Sequence, residues 1–333
     1  MRRILSQACL VWALFAAWGA AHAYYPEDFD GSPEVIAFGS CNREGMEQPL
    51  WPVIAAERPD LWIWGGDNIY GDSKREEVIR EAYRRQLSHP GYAVFRAAFP
   101  IIGTWDDHDY GWNNAGREYP IKQRTQQLAL DFMDVPPSDP RRSRAGIYGT
   151  YAFGEPGRRV RVILLDNRYF ATAKDAEAPD LLGDAQRAWL RETLGRSEAD
   201  VHVIVSGIQV LSSEHKWDHW GHYPRDRAFL LALLREEAVP GAVLLSGDRH
   251  IHEISVLERE GAYPLMDVTS SGLTHSWSDF PGEPNRLRAG EVYTGLGYGV
   301  LRIDWEARPL EVRAAIRDRS GQTVRSHTVR FSR

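Results

Sequence analysis

The chain has 333 residues, 43% hydrophobic and 26% charged, with a formal net charge of −6. That composition belongs to a globular protein with material for a large core, and it excludes a disordered or fibrous chain. The acidic balance gives no electrostatic footprint for nucleic acid.

Residues 1–23 stand apart. Arg2 and Arg3 form a basic start, Leu10 to Trp18 an apolar run, and Ala21-His22-Ala23 a small-residue cleavage site. This is the pattern of a secretory signal peptide. The run is too short for a membrane span, which needs roughly 20 apolar residues, and no later segment qualifies. The expectation is a soluble protein, secreted or periplasmic after cleavage, with no stable membrane anchor. Cleavage removes Cys9 and leaves Cys41 as the lone cysteine, so no internal disulfide can form. A lone thiol in an oxidising compartment is a liability unless it is buried or liganded.

Residues 24–333 read as one domain, without linker or repeat. Glu34 to Gly39 is a strand running into Ser40-Cys41-Asn42. Gln48 to Glu57 suits a short helix with Pro52 in its first turn. Leu61 to Trp64 is a strand that ends in Gly65-Gly66-Asp67-Asn68-Ile69-Tyr70-Gly71-Asp72. Lys74 to Ser88 is an amphipathic helix rich in charge pairs one turn apart. A short apolar strand, Phe99 to Gly103, leads into Thr104-Trp105-Asp106-Asp107-His108-Asp109, with Asn113 and Asn114 after it. Ile121 to Phe132 is helical and Pro136 to Pro140 a loop. Ile147 to Phe153 and Arg159 to Leu165 form a strand pair, the second ending in Asp166-Asn167-Arg168. Gly183-Asp184 opens a helix through Leu194, with Asp184 as its N-cap. Val201 to Ser206 is a strand, followed by a polar and aromatic loop to Pro224. A helix from Arg225 to Glu237 precedes the strand Ala242 to Ser246, which ends in Gly247-Asp248-Arg249-His250-Ile251-His252. Beyond Glu253 the pattern is mostly strand: Pro264 to Thr269, Gly299 to Asp304, Leu310 to Ile316 and Thr323 to Phe331.

Helices alternate with apolar strands, and strands dominate later, which predicts a mixed α/β sheet system with helices outside. Sites in such folds gather at the carboxyl ends of strands. Cys41, Asp67, Asp107, Asp166 and Asp248 all sit there. Adjacent buried carboxylates repel and are costly unless paired, so a cation is expected among them. Carboxylates and carboxamides suit hard cations such as Ca²⁺, Mg²⁺ or Mn²⁺. Tyr70 and Cys41 add phenolate and thiolate, strong anionic donors that suit a higher-valent ion such as ferric iron. The shortage of histidines argues against an ordinary dizinc centre.

The ordered set Phe38-Gly39-Ser40-Cys41, Gly65 to Asp72, Trp105 to Asp109 with Asn113-Asn114, Leu164 to Arg168 and Ser246 to His250 resembles the motifs of PhoD-type alkaline phosphatases, in the metallophosphatase superfamily. The resemblance runs from about Val35 to His252. It implies a four-layer α/β/β/α sandwich and a phosphoesterase dependent on Ca²⁺ and Fe³⁺. Cys41, Asp67 and Tyr70 match iron-binding positions, with Asp67 bridging to calcium. Asp107, Asn114, Asp248 and His250 match further metal- or phosphate-binding positions. His108 matches a histidine near the leaving group, and Arg168 an arginine that follows this strand in the family. Two departures stand out. The chain has no room before its first strand for the N-terminal β-domain of larger members, and Asp109 replaces a frequent glutamate.

The implied reaction is hydrolysis of small-molecule phosphate monoesters or diesters by a metal-activated water. Arg168 would grip equatorial oxygens through two contacts, and His108 would protonate the leaving alkoxide, with a structural ion pair for Arg168 and an indirect role for His108 as the alternatives. A phospholipase-like diesterase and a non-catalytic, metal-dependent binding protein are the competing readings. Outside the motifs, the histidines and aromatics of residues 215–223 and the pair His275 and Trp277 either line the cleft or pack against the sheet edge. His252 suits a structural role better than ligation.

Overall fold

Strands that are apolar throughout have two faces to bury, and alternate residues divide between them. The computed structural model describes residues 29, 31–236 and 239–331, so the signal-peptide segment lies outside the described residues. The strands are β1 (Val35–Gly39), β2 (Leu61–Gly65), β3 (Ile101–Thr104), β4 (Gly149–Phe153), β5 (Val160–Leu164) and β6 (Val201–Ser206). They continue with β7 (Ala242–Ser246), β8 (His252–Leu257), β9 (Leu265–Ser270), β10 (Gly297–Asp304), β11 (Leu310–Asp318) and β12 (Thr323–Phe331). The helices are α1 (Trp51–Ala56), α2 (Glu76–Ser88), α3 (Pro90–Arg96), α4 (Asp107–Tyr110), α5 (Lys122–Phe132), α6 (Gly183–Gly195) and α7 (Pro224–Glu236).

The strands form two six-stranded sheets, ordered β12-β11-β10-β1-β2-β3 and β4-β5-β6-β7-β9-β8. Leu61 and Ile63 of β2 meet Val162 and Leu164 of β5 in the core between the sheets. Trp62 and Trp64 point the other way, onto Trp51, Tyr92 and Phe95 of the helices. On the far side, Ile163, Ile204 and Leu244 pack on Leu190, Leu230 and Leu233. Three apolar cores therefore separate four layers, α/β/β/α, as the resemblance implied.

Strands β1, β2 and β3 run parallel, and so do β5, β6, β7 and β9. The carboxyl ends of the two sheets meet along one edge. There Thr104 Oγ1 donates to the Leu165 carbonyl at 2.7 Å, and Ser40 bridges to Ser271. Every polar cluster picked out from the sequence opens onto this edge.

Some boundaries move. Helix α6 begins at Gly183, so Asp184 is not its N-cap but sits inside the first turn. Its carboxylate takes Arg187 Nη2 at 2.6 Å instead of a backbone N–H. Two helices went unread. Proline and glycine open α3, where His89 caps the backbone N–H of Tyr92. A single turn, α4, hides in the acidic run because its carboxylates serve as its own caps.

The aromatic layer should dominate stability. Trp62 is fully buried, with Trp51, Trp64 and Phe95 packed edge-on at 5.4 to 5.8 Å. Trp62→Ala should cost about 3–5 kcal/mol in denaturant unfolding, whereas Val94→Ala on the exposed face of α3 should stay within about 0.5 kcal/mol.

Candidate metal centre

The site is built from turns that leave strand ends abruptly. Cys41, Asp67, Asn114, Asp248 and His250 all have positive φ, between 51° and 68°. Non-glycine residues adopt this conformation rarely, and functional sites are where it concentrates. Glycine does the rest at two points. A Cβ on Gly66, at φ 99°, would lie 2.6 Å from the Asp106 Cβ. A Cβ on Gly247 would lie 2.5 Å from Ser40 Oγ and 2.9 Å from the Gly65 carbonyl. Only bare backbone lets the two sheets' loops close this far.

Three groups of donor atoms result, each with its atoms within 4.8 Å of one another: Cys41, Asp67 and His250; Asp67, Asp107 and His108; and Asp67, Asp106, Asp107 and Asp248. Asp67 belongs to all three. Cys41 Sγ is 3.4 Å from Asp67 Oδ2, and the Tyr70 hydroxyl lies 3.3 Å from the same oxygen and 3.0 Å from His250 Nε2. Asp107 is oriented by the backbone N–H groups of His108 at 3.0 Å and Asn114 at 2.6 Å. The Asn114 side chain itself is exposed at the rim. Asp109 turns away from the donors: its oxygens accept from the N–H groups of Asp106 at 2.7 Å and Asn68 at 3.1 Å.

Burial sets the electrostatics. It pushes the Asp67 carboxyl well above its usual range, and Cys41, Asp107, Asp106 and Asp109 push it further. Burial, then Asp107, raises Asp248 to about 7. Burial lifts the Cys41 thiol to about 11 against the hydrogen bond from Ser271. Burial lowers His250 to about 4, so its imidazole is neutral and free to ligate. Asp106 Oδ2 is buried without a partner. The raised carboxyls and the orphaned Asp106 oxygen say the same thing: the carboxylate cluster has too little positive charge. Cations fit it, with the thiol, phenol and imidazole on one side and carboxylates on the other.

His108 stands at the mouth. Its Nδ1 is 2.6 Å from Asp72 Oδ1, and its ring stacks on Tyr70 at 4.2 Å. Burial lowers its pKa, but the Asp72 hydrogen bond and the charge of Asp107 outweigh that and raise it overall. Arg168 makes two buried ion pairs. Its Nε meets Asp106 Oδ1 at 2.6 Å and its Nη1 meets Asp218 Oδ2 at 2.8 Å. The expected two-pronged contact narrows to Nη2, which is buried without a partner. A cavity of about 270 Å³ beside it is lined by Arg168, Asn114, Lys174, Asp218 and Tyr223.

Three residues of the centre were not singled out from the sequence. Asp106 and Asp218 fix Arg168. Ser271 Oγ lies 3.0 Å from Cys41 Sγ and accepts the His250 N–H at 2.7 Å. His275, left open above, belongs to the centre: its Nε2 is 3.2 Å from His250 Nε2. It follows β9, so the rule of polar residues after strand ends reaches it too. The residues of the loop before Pro224 divide. Trp220 is fully buried, whereas Asp218 and Tyr223 line the cavity. His252 is buried at the start of β8, and burial holds its pKa down near 4, in keeping with a structural role.

Asp67→Asn tests the charge argument. The amide should abolish tight metal binding measured by calorimetry. Without metal, the variant should unfold at the wild-type temperature or above, because carboxylate repulsion is relieved. A large loss of stability in chelator would mark Asp67 as a structural cap instead.

Comparisons with known proteins agree with this fold. The family model described as PhoD-like phosphatase matches residues 36–277. Alkaline phosphatase D of Bacillus subtilis (strain 168) is 24% identical over 268 residues, 65% of this chain; the match spans 45% of that relative's length. The solved structure of PhoD superposes with a TM-score of 0.73 at 19% identity, over 95% of this chain and 72% of that one. GAP50, the anchor in the inner membrane complex of Plasmodium, follows at TM-score 0.60 and 12% identity, over 91% and 90% of the two chains. A dimetal phosphatase from Danio rerio follows at 0.54 and 13% identity, over 90% and 100%. The family match covers most of the chain, from the first strand to the loop beyond β9, and the protein belongs to the PhoD-like phosphatase family.

Proposed function

We propose that the protein is an exported, metal-dependent phosphoesterase that hydrolyses small-molecule phosphate monoesters, diesters or both. The observation that carries this reading is Asp67, shared by three donor groups, one of which includes His108, the partner of Asp72. Cys41, Tyr70, Asp67 and His250 would hold ferric iron, because thiolate and phenolate suit a trivalent ion. Asp67, Asp107 and Asp248, with Asn114 at the rim, would hold Ca²⁺ or another hard divalent ion. Cations held there supply charge for phosphoryl oxygens and lower the pKa of water.

The chain's own groups do the rest. Asp72 fixes the imidazole through Nδ1, which leaves Nε2 of His108 to meet a substrate. The Asp72 carboxylate on Nδ1 favours the protonated imidazole, which can give its Nε2 proton to a leaving alkoxide. Asp106 and Asp218 hold Arg168 in one orientation, and Nη2 is the donor left for a phosphoryl oxygen. The cavity beside it, with Lys174 at the rim, has room for a small alcohol. Assays with an aryl phosphate, a bis-aryl phosphate and a phosphatidylcholine dispersion, each with and without chelator, separate the substrate classes. Turnover of none of them in metal-replete protein would leave only a binding role.

His108→Ala should cut turnover of alkyl phosphates by about 10²- to 10⁴-fold. It should spare nitrophenyl phosphate far more, because a nitrophenolate leaves without a proton, and metal content should not change. Equal losses on both substrates, with metal depletion, would show that His108 holds the centre together and is not the acid.

A further inference from the structure

Beside the metal centre the surface turns aromatic. The backbone N–H of Trp277 donates at 2.7 Å to the carbonyl of His250, itself a candidate metal donor. Trp217 immediately precedes Asp218, the partner of Arg168. The two indoles meet edge-on, 5.5 Å apart at 86°, and Phe280 extends the row at 5.1 Å from Trp277.

Among the rings of its loop Trp217 is the exposed one. His215, Asp218, His219 and Trp220 are buried, but Trp217 is 40% exposed. It is the one aromatic among the exposed large hydrophobics of the described residues, with Met46 and Val94. Exposed apolar ring area forgoes hydrophobic stabilisation. Yet this ring is fixed. Its Nε1 donates to Glu283 Oε1 at 2.6 Å, and Glu283 is itself tied to the buried Arg249. The Lys216 ammonium lies 4.9 Å from the ring centre and the Arg249 guanidinium 5.6 Å. A pinned, exposed indole fringed by cations, with Arg249 between Asp248 and His250 in the chain against its ring, suits a planar ring carried by an anion.

We propose that Trp217 and Trp277 form a stacking subsite for phosphoesters whose alcohol carries a planar aromatic ring, as a nucleoside or an aryl alcohol does. This rests on the phosphoesterase reading above and adds a substrate class to it. Lys216, exposed and flexible, gives up its place over the indole to the incoming ring.

Matched pairs test it without changing the leaving alkoxide's chemistry: adenosine 5′-monophosphate against ribose 5-phosphate, and benzyl phosphate against butyl phosphate. Stacking of a base on an aromatic side chain corresponds to about 5- to 100-fold in binding. The ratio of kcat/KM, ringed over unringed, should reach that range for at least one pair. Trp217→Ala should bring the ratio towards one, and Trp217→Phe should keep most of it. Calorimetric binding of the same pairs to the metal-loaded protein gives a readout independent of turnover. Absence of hydrolysis of any phosphoester would sink the phosphoesterase reading, while tighter binding of the ringed member, lost in Trp217→Ala, would still support the subsite. Equal binding and equal kcat/KM within both pairs, or a ratio unmoved by Trp217→Ala, would overturn the subsite.

Discussion

The structure depends on one unfavourable fact: Asp67, Asp106, Asp107 and Asp248 crowd into a buried pocket with a thiol and a phenol. Like charges at this spacing repel strongly once water is excluded. Arg168 relieves part of the repulsion through Asp106, but Asp218 shares it. The remaining anionic character would draw cations in, and it adds to the burial that raises Asp67 and Asp248. A bound ion would offset that cost.

The fold makes that crowding affordable in geometry. Two sheets share one apolar core, and their parallel strands release their chain ends along one edge. The backbone there turns sharply at Cys41, Asp67, Asp248 and His250, all in the left-handed region. Donors from distant segments are thereby aimed at one volume. Strain at these residues is held in place by the layers behind them, above all by the tryptophan-rich packing of β2 against α1 and α3.

Much of this was legible in the sequence, for a physical reason. Strands buried on both faces read as unbroken apolar runs, and the abrupt change from Leu61-Trp62-Ile63-Trp64 to Gly65-Gly66-Asp67 marks a strand end with a site on it. Every metal position carried over from the family resemblance, apart from the exposed Asn114 side chain, is brought within reach of Asp67. What escaped depends on tertiary contacts. Helix α4 is a single turn whose caps are Asp106 and Asp109, so its local signal looks like an acidic loop. Nothing in the sequence said that Asp218 would reach back to Arg168, 50 residues away. His275 stood after a strand like the others but without the Gly-Asp signature that marked them, and only its distance to His250 brings it into the centre.

The central claim is that the cluster around Asp67 is a cation site and not a set of protonated or hydrogen-bonded carboxyls. The most direct measurement is elemental analysis of the protein purified from its native compartment, followed by thermal unfolding before and after chelation. The account predicts stoichiometric bound metal, iron with a hard divalent ion, and a clear drop in unfolding temperature when chelator removes it. Trace metal only, with the same unfolding temperature in chelator and in added metal, would contradict it.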